Sequence, residues 1–279
     1  MGLVKMSKLL KQAQENGTGC GSFSVYSMEA MIGTLRAAEE LGMPVIIQLA
    51  EARFKTAPLE LVGPMMINAA EKAGIDVAVH LDHGSSFGVI ERALEMGFTS
   101  VMYDGSSKPF EENIKNTKLV KKMALSYGTD VEAELGLVGR SEDGTCDYGI
   151  KCTIPADAKV FAEETGVEAL AIAIGNQHGN YPAAPKLRFD ILRNIHEMIP
   201  KMPLVLHGGS GITDEDFRQC IRDGIVKINI ATAILNEMTT EAGDYFNRAS
   251  GYSYYDLSRR MAEGAYRAVR HHMEVFNMR

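Results

Sequence analysis

Three histidines lie at the ends of short apolar runs, where each has glycines or an acid beside it. His83 follows Asp82, His178 lies in a Gly-Asn-Gln-His-Gly run, and His207 precedes Gly-Gly-Ser-Gly. Three neutral imidazoles with an open fourth position are the ligand set of a catalytic zinc ion. One strand-end histidine alone is more typically structural, so the hypothesis depends on all three converging. We interpret the remaining histidines as one packed strand residue and three surface helix positions, namely His80, His196, His271 and His272.

Glycine-rich sequence surrounds two of these histidines. Gly179 and the run Gly208-Gly209-Ser210-Gly211 provide backbone N–H groups that can approach an anion closely, and a helical pattern follows the run. Glycine-rich turns are common by themselves, but here they adjoin candidate metal ligands. The sequence therefore predicts a phosphate site beside a metal ion.

A metal, a phosphate site and carboxylates together indicate cleavage of a ketose phosphate. Zinc can hold the carbonyl and hydroxyl oxygens of such a substrate and act as a Lewis acid. One carboxylate must move the proton of the C4 hydroxyl, and Asp82 is the candidate. Another must move a proton on carbon in the dihydroxyacetone half. Glu142 is the candidate because glycines allow the loop Gly136–Thr153 to close as a lid, although its spacing alone is more typical of a solvated loop acid.

Eight short apolar runs alternate with helical patterns along the chain, which predicts parallel strands in βαβ units. Eight units in 279 residues favour a single (β/α)8 barrel domain over residues 1–279, with additional helices at Val4–Glu15 and Asp256–Phe276. The predicted strands are Ser22–Tyr26, Val45–Ala50, Val77–His83, Ser100–Asp104, Asp130–Leu135, Ala169–Gly175, Pro203–His207 and Ile225–Ile230. The predicted helices include Met28–Leu41, Leu59–Ala73, Ile90–Met96, Phe110–Tyr127 and Asp214–Arg222.

Composition excludes several classes of protein. The net charge of −7 argues against a nucleic-acid partner, since binding to phosphate backbones needs clustered Lys and Arg. No apolar run reaches the roughly 20 residues of a membrane span, and no signal-peptide pattern begins the chain. The four scattered cysteines are typical of free thiols in a reducing cytoplasm, with a Cys146–Cys152 pair as the alternative. We therefore expect a cytoplasmic protein.

The chain resembles the class II fructose-bisphosphate/tagatose-bisphosphate aldolase family over essentially its whole length. The matching runs, in order, are His80-Leu81-Asp82-His83-Gly84, Asp104-Gly105-Ser106, Glu132-Ala133-Glu134-Leu135-Gly136, Ala173-Ile174-Gly175-Asn176-Gln177-His178-Gly179-Asn180-Tyr181, Leu206-His207-Gly208-Gly209-Ser210-Gly211 and Lys227-Ile228-Asn229-Ile230.

The resemblance implies one catalytic divalent metal, usually zinc, held by His83, His178 and His207, and a monovalent cation is a further candidate. By similarity, Asp104 and Glu134 hold the metal in an alternative, more buried position. Asp82 matches the proton-transfer aspartate and Glu142 the loop acid. The residues matching the dihydroxyacetone phosphate site are Gly179, Gly208, Gly209, Ser210, Asn229 and Thr232. Family members are dimers or tetramers, so a homo-oligomer is expected.

Departures from the family concern the far end of the substrate. Glycolytic members have a small polar segment after strand two and an Asp-Pro-Arg run near the C-terminus, which help to hold a second phosphate. Here the corresponding segments are Glu51–Lys55, containing Arg53, and Asp256-Leu257-Ser258, followed by Arg259. We therefore expect a ketose 1-phosphate or a sugar-acid phosphate as substrate, with Arg53 and Arg259 as candidate contacts.

Four other functions stay open at the level of sequence. The chain could be a fructose- or tagatose-bisphosphate aldolase proper, or a non-catalytic barrel subunit of an aldolase complex. A Schiff-base aldolase working through Lys227 is the third, but such an enzyme has no need of three convergent histidines. A metal-dependent hydrolase would explain the ligands and leave the phosphate site unexplained.

Overall fold

The computed structural model describes residues 2–139, 149–181, 185–248 and 251–278. Eight parallel strands form a closed barrel in which each strand pairs with two neighbours, and the pairing of β4 with β5 closes the ring. A short additional strand, β1, pairs with the start of β4. The strands are β1 (Gly2–Leu3), β2 (Cys20–Ser24), β3 (Val45–Ala50), β4 (Asp76–Gly84), β5 (Ser100–Tyr103), β6 (Asp130–Leu135), β7 (Ala169–Ile172), β8 (Leu204–Leu206) and β9 (Ile225–Ile230).

Helices surround the barrel and follow its strands. They are α1 (Met6–Asn16), α2 (Met28–Leu41), α3 (Leu59–Lys72), α4 (Phe87–Glu95), α5 (Phe110–Leu125), α6 (Pro155–Thr165), α7 (Phe189–Met198), α8 (Asp214–Arg222), α9 (Thr232–Arg248) and α10 (Tyr254–Phe276), with one 3-10 turn at Glu51–Arg53. The predicted (β/α)8 barrel with terminal helices is therefore confirmed. Within the described ranges, no helix is long and apolar enough to cross a membrane.

The predicted strands differ from the observed ones mainly at their ends. The first barrel strand begins at Cys20 and ends at Ser24, so both of its ends lie two residues earlier than predicted. Strands β7 and β8 end at Ile172 and Leu206, before the glycines that turn the chain toward the centre of the barrel face. The sequence stays apolar beyond the last paired residue of β7 because the turn that follows this strand is also buried. The predicted strand was therefore longer than the observed one.

The interior of the barrel is apolar at one end and polar toward the other. At the amino-terminal end, small and aliphatic side chains pack against helix α1, which closes the barrel through Met6, Leu9, Leu10 and Ala13. Above this plug lies a fully buried polar layer consisting of Ser22, Gln48, His80, Glu132 and Lys227. Every second residue of a strand faces the axis, so these side chains must satisfy one another. The site residues lie one step further along the same strands.

Helix α10 packs across α2 at close range, and Gly33 makes this approach possible. A Cβ atom at Gly33 would lie 2.6 Å from the carbonyl oxygen of Ala262 and 2.7 Å from the Cβ of Ala265. The opposing atoms belong to a backbone and a short side chain, which cannot rotate away. The contact therefore fixes the last helix against the barrel wall.

We predict that Gly33→Ala lowers the free energy of unfolding by about 1–3 kcal/mol, because it overpacks this contact. The matched control is Gly243→Ala in the middle of α9, where an added Cβ meets nothing within 4 Å. Alanine there should raise stability by about 0.5–1 kcal/mol, since it restricts the unfolded chain. Equilibrium urea unfolding of both variants measures the difference, and equal effects would contradict the assigned contact.

Candidate active site

The three predicted histidines meet at the carboxyl-terminal face of the barrel. His83 lies at the end of β4, His178 in the loop after β7, and His207 directly after β8. One ring nitrogen of each lies within 4.8 Å of the others, and Nε2 of His83 is 2.9 Å from Nδ1 of His207. Nitrogens bound tetrahedrally to one zinc ion lie about 3.4 Å apart, given bonds of roughly 2.1 Å. The arrangement therefore fits a metal with small side-chain shifts.

Two features hold His83 in this position. Its backbone adopts a φ of 46°, which is uncommon for a residue other than glycine, and the register with β5 shifts between Leu81 and Gly84. Its Nδ1 donates to a carboxylate oxygen of Asp104 at 2.8 Å. Nε2 therefore faces the other two imidazoles, as a metal ligand requires. Burial lowers the pKa of His83, but Asp82 and Asp104 raise it well above its usual value, so a metal that binds here would displace the proton from Nε2.

Asp104 and Glu134 extend the cluster on its buried side. Together with His83 they form a second group of potential ligand atoms within 4.8 Å of one another. Oε2 of Glu134 lies 3.6 Å from Nδ1 of His207 and has no hydrogen-bond partner among the described residues. Burial raises the pKa of Glu134, and the nearby Asp104 raises it further. A buried, unsatisfied carboxylate oxygen beside imidazoles is what a cation would stabilise.

The electrostatic environment also favours a neutral His207. Burial lowers the pKa of His207 well below its usual value, and the adjacent His83 lowers it further. Its Nε2 lies 2.8 Å from Oε1 of Glu132, so the ring can present the lone pair of Nδ1 to the cluster. A neutral imidazole is the form that binds metals.

Asp82 lies beside the histidines and is held by two amides. Gln48 Nε2 donates to one of its carboxylate oxygens at 3.0 Å, and Asn229 Nδ2 donates to the other at 3.0 Å. Gln48 in turn contacts Ser22 and Ser24 on the neighbouring strand. The carboxylate is buried yet hydrogen-bonded on both oxygens, so its position and its accepting character are fixed.

The predicted phosphate-binding residues line one small pocket next to this carboxylate. The lining includes Asp82 and His178 together with Gly179, Gly208, Gly209, Ser210, Asn229 and Thr232. Gly208 adopts a φ of 65°, and a Cβ there would lie 2.1 Å from the carbonyl oxygen of Gln177, so only glycine fits. Ser210 Oγ accepts from the backbone N–H of Ala233 at the start of α9. The positive end of α9 therefore faces the pocket, as in an anion site.

Some candidates remain apart from this cluster. Glu142 lies outside the described residues. Arg53 lies in the 3-10 turn after β3, with its guanidinium carbon 5.9 Å from the ring centroid of Tyr26. Arg259 is 75% exposed on α10, where Nη2 lies 3.5 Å from Asp256. Neither arginine lines the pocket beside Asp82.

The sequence analysis considered Lys227 only as an alternative nucleophile and gave no role to Glu132, yet the two form a buried pair beneath the site. Lys227 Nζ lies 2.9 Å from Glu132 and donates to Asn229 Oδ1 at 2.8 Å. A lysine held by a carboxylate lacks the free lone pair of a Schiff-base nucleophile, which argues against that alternative. One sequence signal could have located this pair. Glu132 lies two residues before Glu134, and Lys227 lies two residues before Asn229, so both side chains face the barrel interior.

His80, interpreted as a packed strand residue, is fully buried and hydrogen-bonds Ser100 through Nδ1.

Comparison with known proteins agrees with this geometry. The family model for class II fructose-bisphosphate aldolase matches residues 4–279. The chain belongs to that family. The aldolase is 41% identical over 237 residues to a Staphylococcus aureus fructose-bisphosphate aldolase, covering 83% of this chain and 82% of that protein. A Streptococcus pyogenes fructose-bisphosphate aldolase is 40% identical over 236 residues, covering 83% of this chain and 80% of that protein.

A solved structure shares the whole architecture. The YdjI aldolase of Escherichia coli K12 superposes with a TM-score of 0.88 at 33% identity, covering 98% of this chain and 97% of that one. The protein is thus an enzyme, a carbon–carbon lyase of the aldolase type, and the class generally depends on zinc.

We predict that His207→Ala abolishes high-affinity zinc binding while the protein stays folded, because the metal site is built upon an independent barrel core. Zinc content should fall from about one ion per chain to a small fraction of that value. The control is His271→Ala on the exposed face of α10, which should keep its zinc. Metal analysis and circular dichroism measure the two properties. A His207→Ala protein that retains stoichiometric zinc would contradict the ligand set.

Proposed function

We propose that this aldolase cleaves a ketose phosphate reversibly into dihydroxyacetone phosphate and an aldehyde, with one phosphate on the dihydroxyacetone side. The observation that carries the proposal is the shared pocket of Asp82, His178 and the phosphate-binding glycines. A carbonyl placed at the histidines would have its phosphate at the start of α9 and its C4 hydroxyl near Asp82. We further propose that residues 1–279 act as one domain in a homodimer or homotetramer.

His83, His178 and His207 would hold a zinc ion, with Asp104 and Glu134 available on the buried side. When bound, the ion supplies Lewis acidity at the ketose oxygens and stabilises developing negative charge. His83 is oriented for this role by Asp104, as second-shell carboxylates commonly orient histidine ligands. The chain's remaining residues then bind the substrate and move protons.

Asp82 would take the proton of the C4 hydroxyl during cleavage and return it during condensation. The two amides that donate to its oxygens hold the carboxylate in place. Glu142 would exchange the proton on carbon in the dihydroxyacetone half. Gly179, Gly208, Gly209, Ser210 and Thr232 would hold the phosphate, while Asn229 orients the substrate beside Asp82.

The far end of the substrate would meet the turn after β3. Oε2 of Glu51 accepts from the backbone N–H of Ser85 at 2.6 Å, so the carboxylate is anchored next to the loop that follows His83. A fixed negative charge there disfavours a second phosphate and suits hydroxyl groups. Arg53, two residues further on, is the nearest candidate for a terminal carboxylate, with Arg259 as the second. The rival substrate is fructose 1,6-bisphosphate, which the names of the relatives favour.

We predict that Asp82→Ala loses cleavage activity by about 100- to 10,000-fold, the usual range for a general acid–base group. Glu142→Ala should instead slow the exchange of the dihydroxyacetone phosphate C–H proton with solvent, which NMR detects without any aldehyde. The matched control is Asp143→Ala, which removes the neighbouring acid and should leave that exchange unchanged. Exchange at the wild-type rate in Glu142→Ala would assign this proton to another base.

We predict that kcat/KM for a ketose 1-phosphate exceeds that for fructose 1,6-bisphosphate by about ten- to a hundredfold, since the second phosphate lacks a charge-assisted hydrogen bond of about 1.5–3 kcal/mol. The assay compares the bisphosphate with ketose 1-phosphates that do and do not carry a terminal carboxylate. A ratio well above one for the bisphosphate would overturn the substrate assignment. A gain with the carboxylate that disappears in Arg53→Ala, and persists in Arg259→Ala, would identify Arg53 as its contact.

A further inference from the structure

A buried ion pair lies directly beneath the candidate active site. Glu132 on β6 and Lys227 on β9 are both completely inaccessible to solvent, and their charged atoms lie 2.9 Å apart. Burying two charges costs more free energy than burying apolar side chains of the same size, so such a pair is weak evidence for stability alone. The contacts that the pair makes on each side indicate another purpose.

Each member of the pair contacts a different part of the site. Glu132 Oε1 lies 2.8 Å from Nε2 of His207. Lys227 donates to Oδ1 of Asn229 at 2.8 Å, and Nδ2 of Asn229 donates to Asp82 at 3.0 Å. A continuous series of contacts, three hydrogen bonds joined by the Glu132–Lys227 ion pair, thus runs from a histidine of the metal cluster to the candidate proton-transfer acid.

The residue types at the centre of this series determine the direction of every hydrogen bond in it. Nε2 of His207 lies 2.8 Å from Oε1 of Glu132 and 3.3 Å from Nδ2 of Asn229. An ionised glutamate only accepts hydrogen bonds, so the shorter contact assigns the proton to Nε2 and the lone pair to Nδ1. A protonated lysine only donates, so it faces the oxygen of the Asn229 amide and turns the NH2 group toward Asp82. Neutral side chains that both donate and accept would leave both tautomers of His207 and both orientations of the Asn229 amide available.

We propose that Glu132 and Lys227 are positioning residues, which fix the tautomer of His207 for metal binding and the amide orientation of Asn229 beside Asp82. The inference rests on the metal site proposed above. Neither residue touches the substrate or the metal in this role. Their mutual neutralisation allows two groups of fixed hydrogen-bonding character to lie inside the barrel without an uncompensated charge.

The first test needs no substitution. In zinc-free protein labelled with 15N-histidine, long-range 1H–15N correlations report which ring nitrogen carries the proton, and the His207 signal is assigned by its loss in His207→Ala. We expect the tautomer protonated at Nε2. Protonation at Nδ1 would overturn the inference, whatever the zinc affinity of the protein.

The second test removes both charges together, because a single change would leave the other charge buried and destabilise the fold. Glu132→Leu/Lys227→Met leaves His207 without its acceptor, and we expect zinc affinity to fall about 10- to 100-fold, as for other second-shell changes. The matched control, Glu132→Gln/Lys227→Met, keeps an acceptor oxygen for His207. Because glutamine can present either its oxygen or its NH2 group to His207, zinc affinity should fall less than in the leucine variant, while kcat falls about tenfold through the freed Asn229 amide.

Zinc affinity is measured by competition with a chelator, and the visible spectrum of the Co2+-substituted proteins reports the coordination geometry. If the leucine variant does not fold, Glu132→Asp retains the charge balance while withdrawing the carboxylate from His207, and we expect about tenfold weaker zinc binding. Wild-type zinc affinity, spectrum and kcat in the folded variants would show that the pair is structural only. Absence of zinc binding by the wild-type protein would instead refute the metal site itself.

Discussion

A closed barrel leaves its inward-facing side chains no water to interact with, and this constraint organises the whole active site. Gln48, Glu132 and Lys227 face the axis from three different strands, where each polar atom has to find a partner on another strand. The resulting network supports Asp82 and His207 from below. The candidate site at the barrel face is therefore held in place by contacts with the buried polar layer beneath it.

The strands of the barrel and the contacts between their side chains differ in how far the sequence predicts them. Alternating strand and helix patterns predicted the barrel, and the types of residue at the strand ends predicted that His83, His178 and His207 meet. These inferences need only the rule that parallel strands end on one face. The contact between Glu132 and Lys227 was not predictable in the same way, because β6 and β9 do not pair with each other. Their proximity depends on how the side chains fill the space across the barrel.

The substrate's far end was harder to interpret for a related reason. Arg53 and Arg259 lie in a turn and on an outer helix, where spacing along the chain does not determine where a long side chain reaches. Glu51 illustrates the difficulty, since its carboxylate anchors the backbone at Ser85 as well as carrying charge. In the proposed function, specificity would reside in segments whose conformation depends on neighbouring loops, whereas the chemistry would reside at the strand ends.

The helical plug at the amino-terminal end of the barrel has a consequence for biosynthesis. Helix α1 is synthesised about 200 residues before Val205 and Val226, yet its apolar face is buried in one cluster with them. At usual rates of translation, on the order of tens of seconds separate the two segments. During that interval Leu9 and Leu10 have no completed surface to occupy. The apolar face of α1 therefore stays exposed on the nascent chain until the last strands have been synthesised. We expect chaperones that shield apolar segments to bind the chain during this interval.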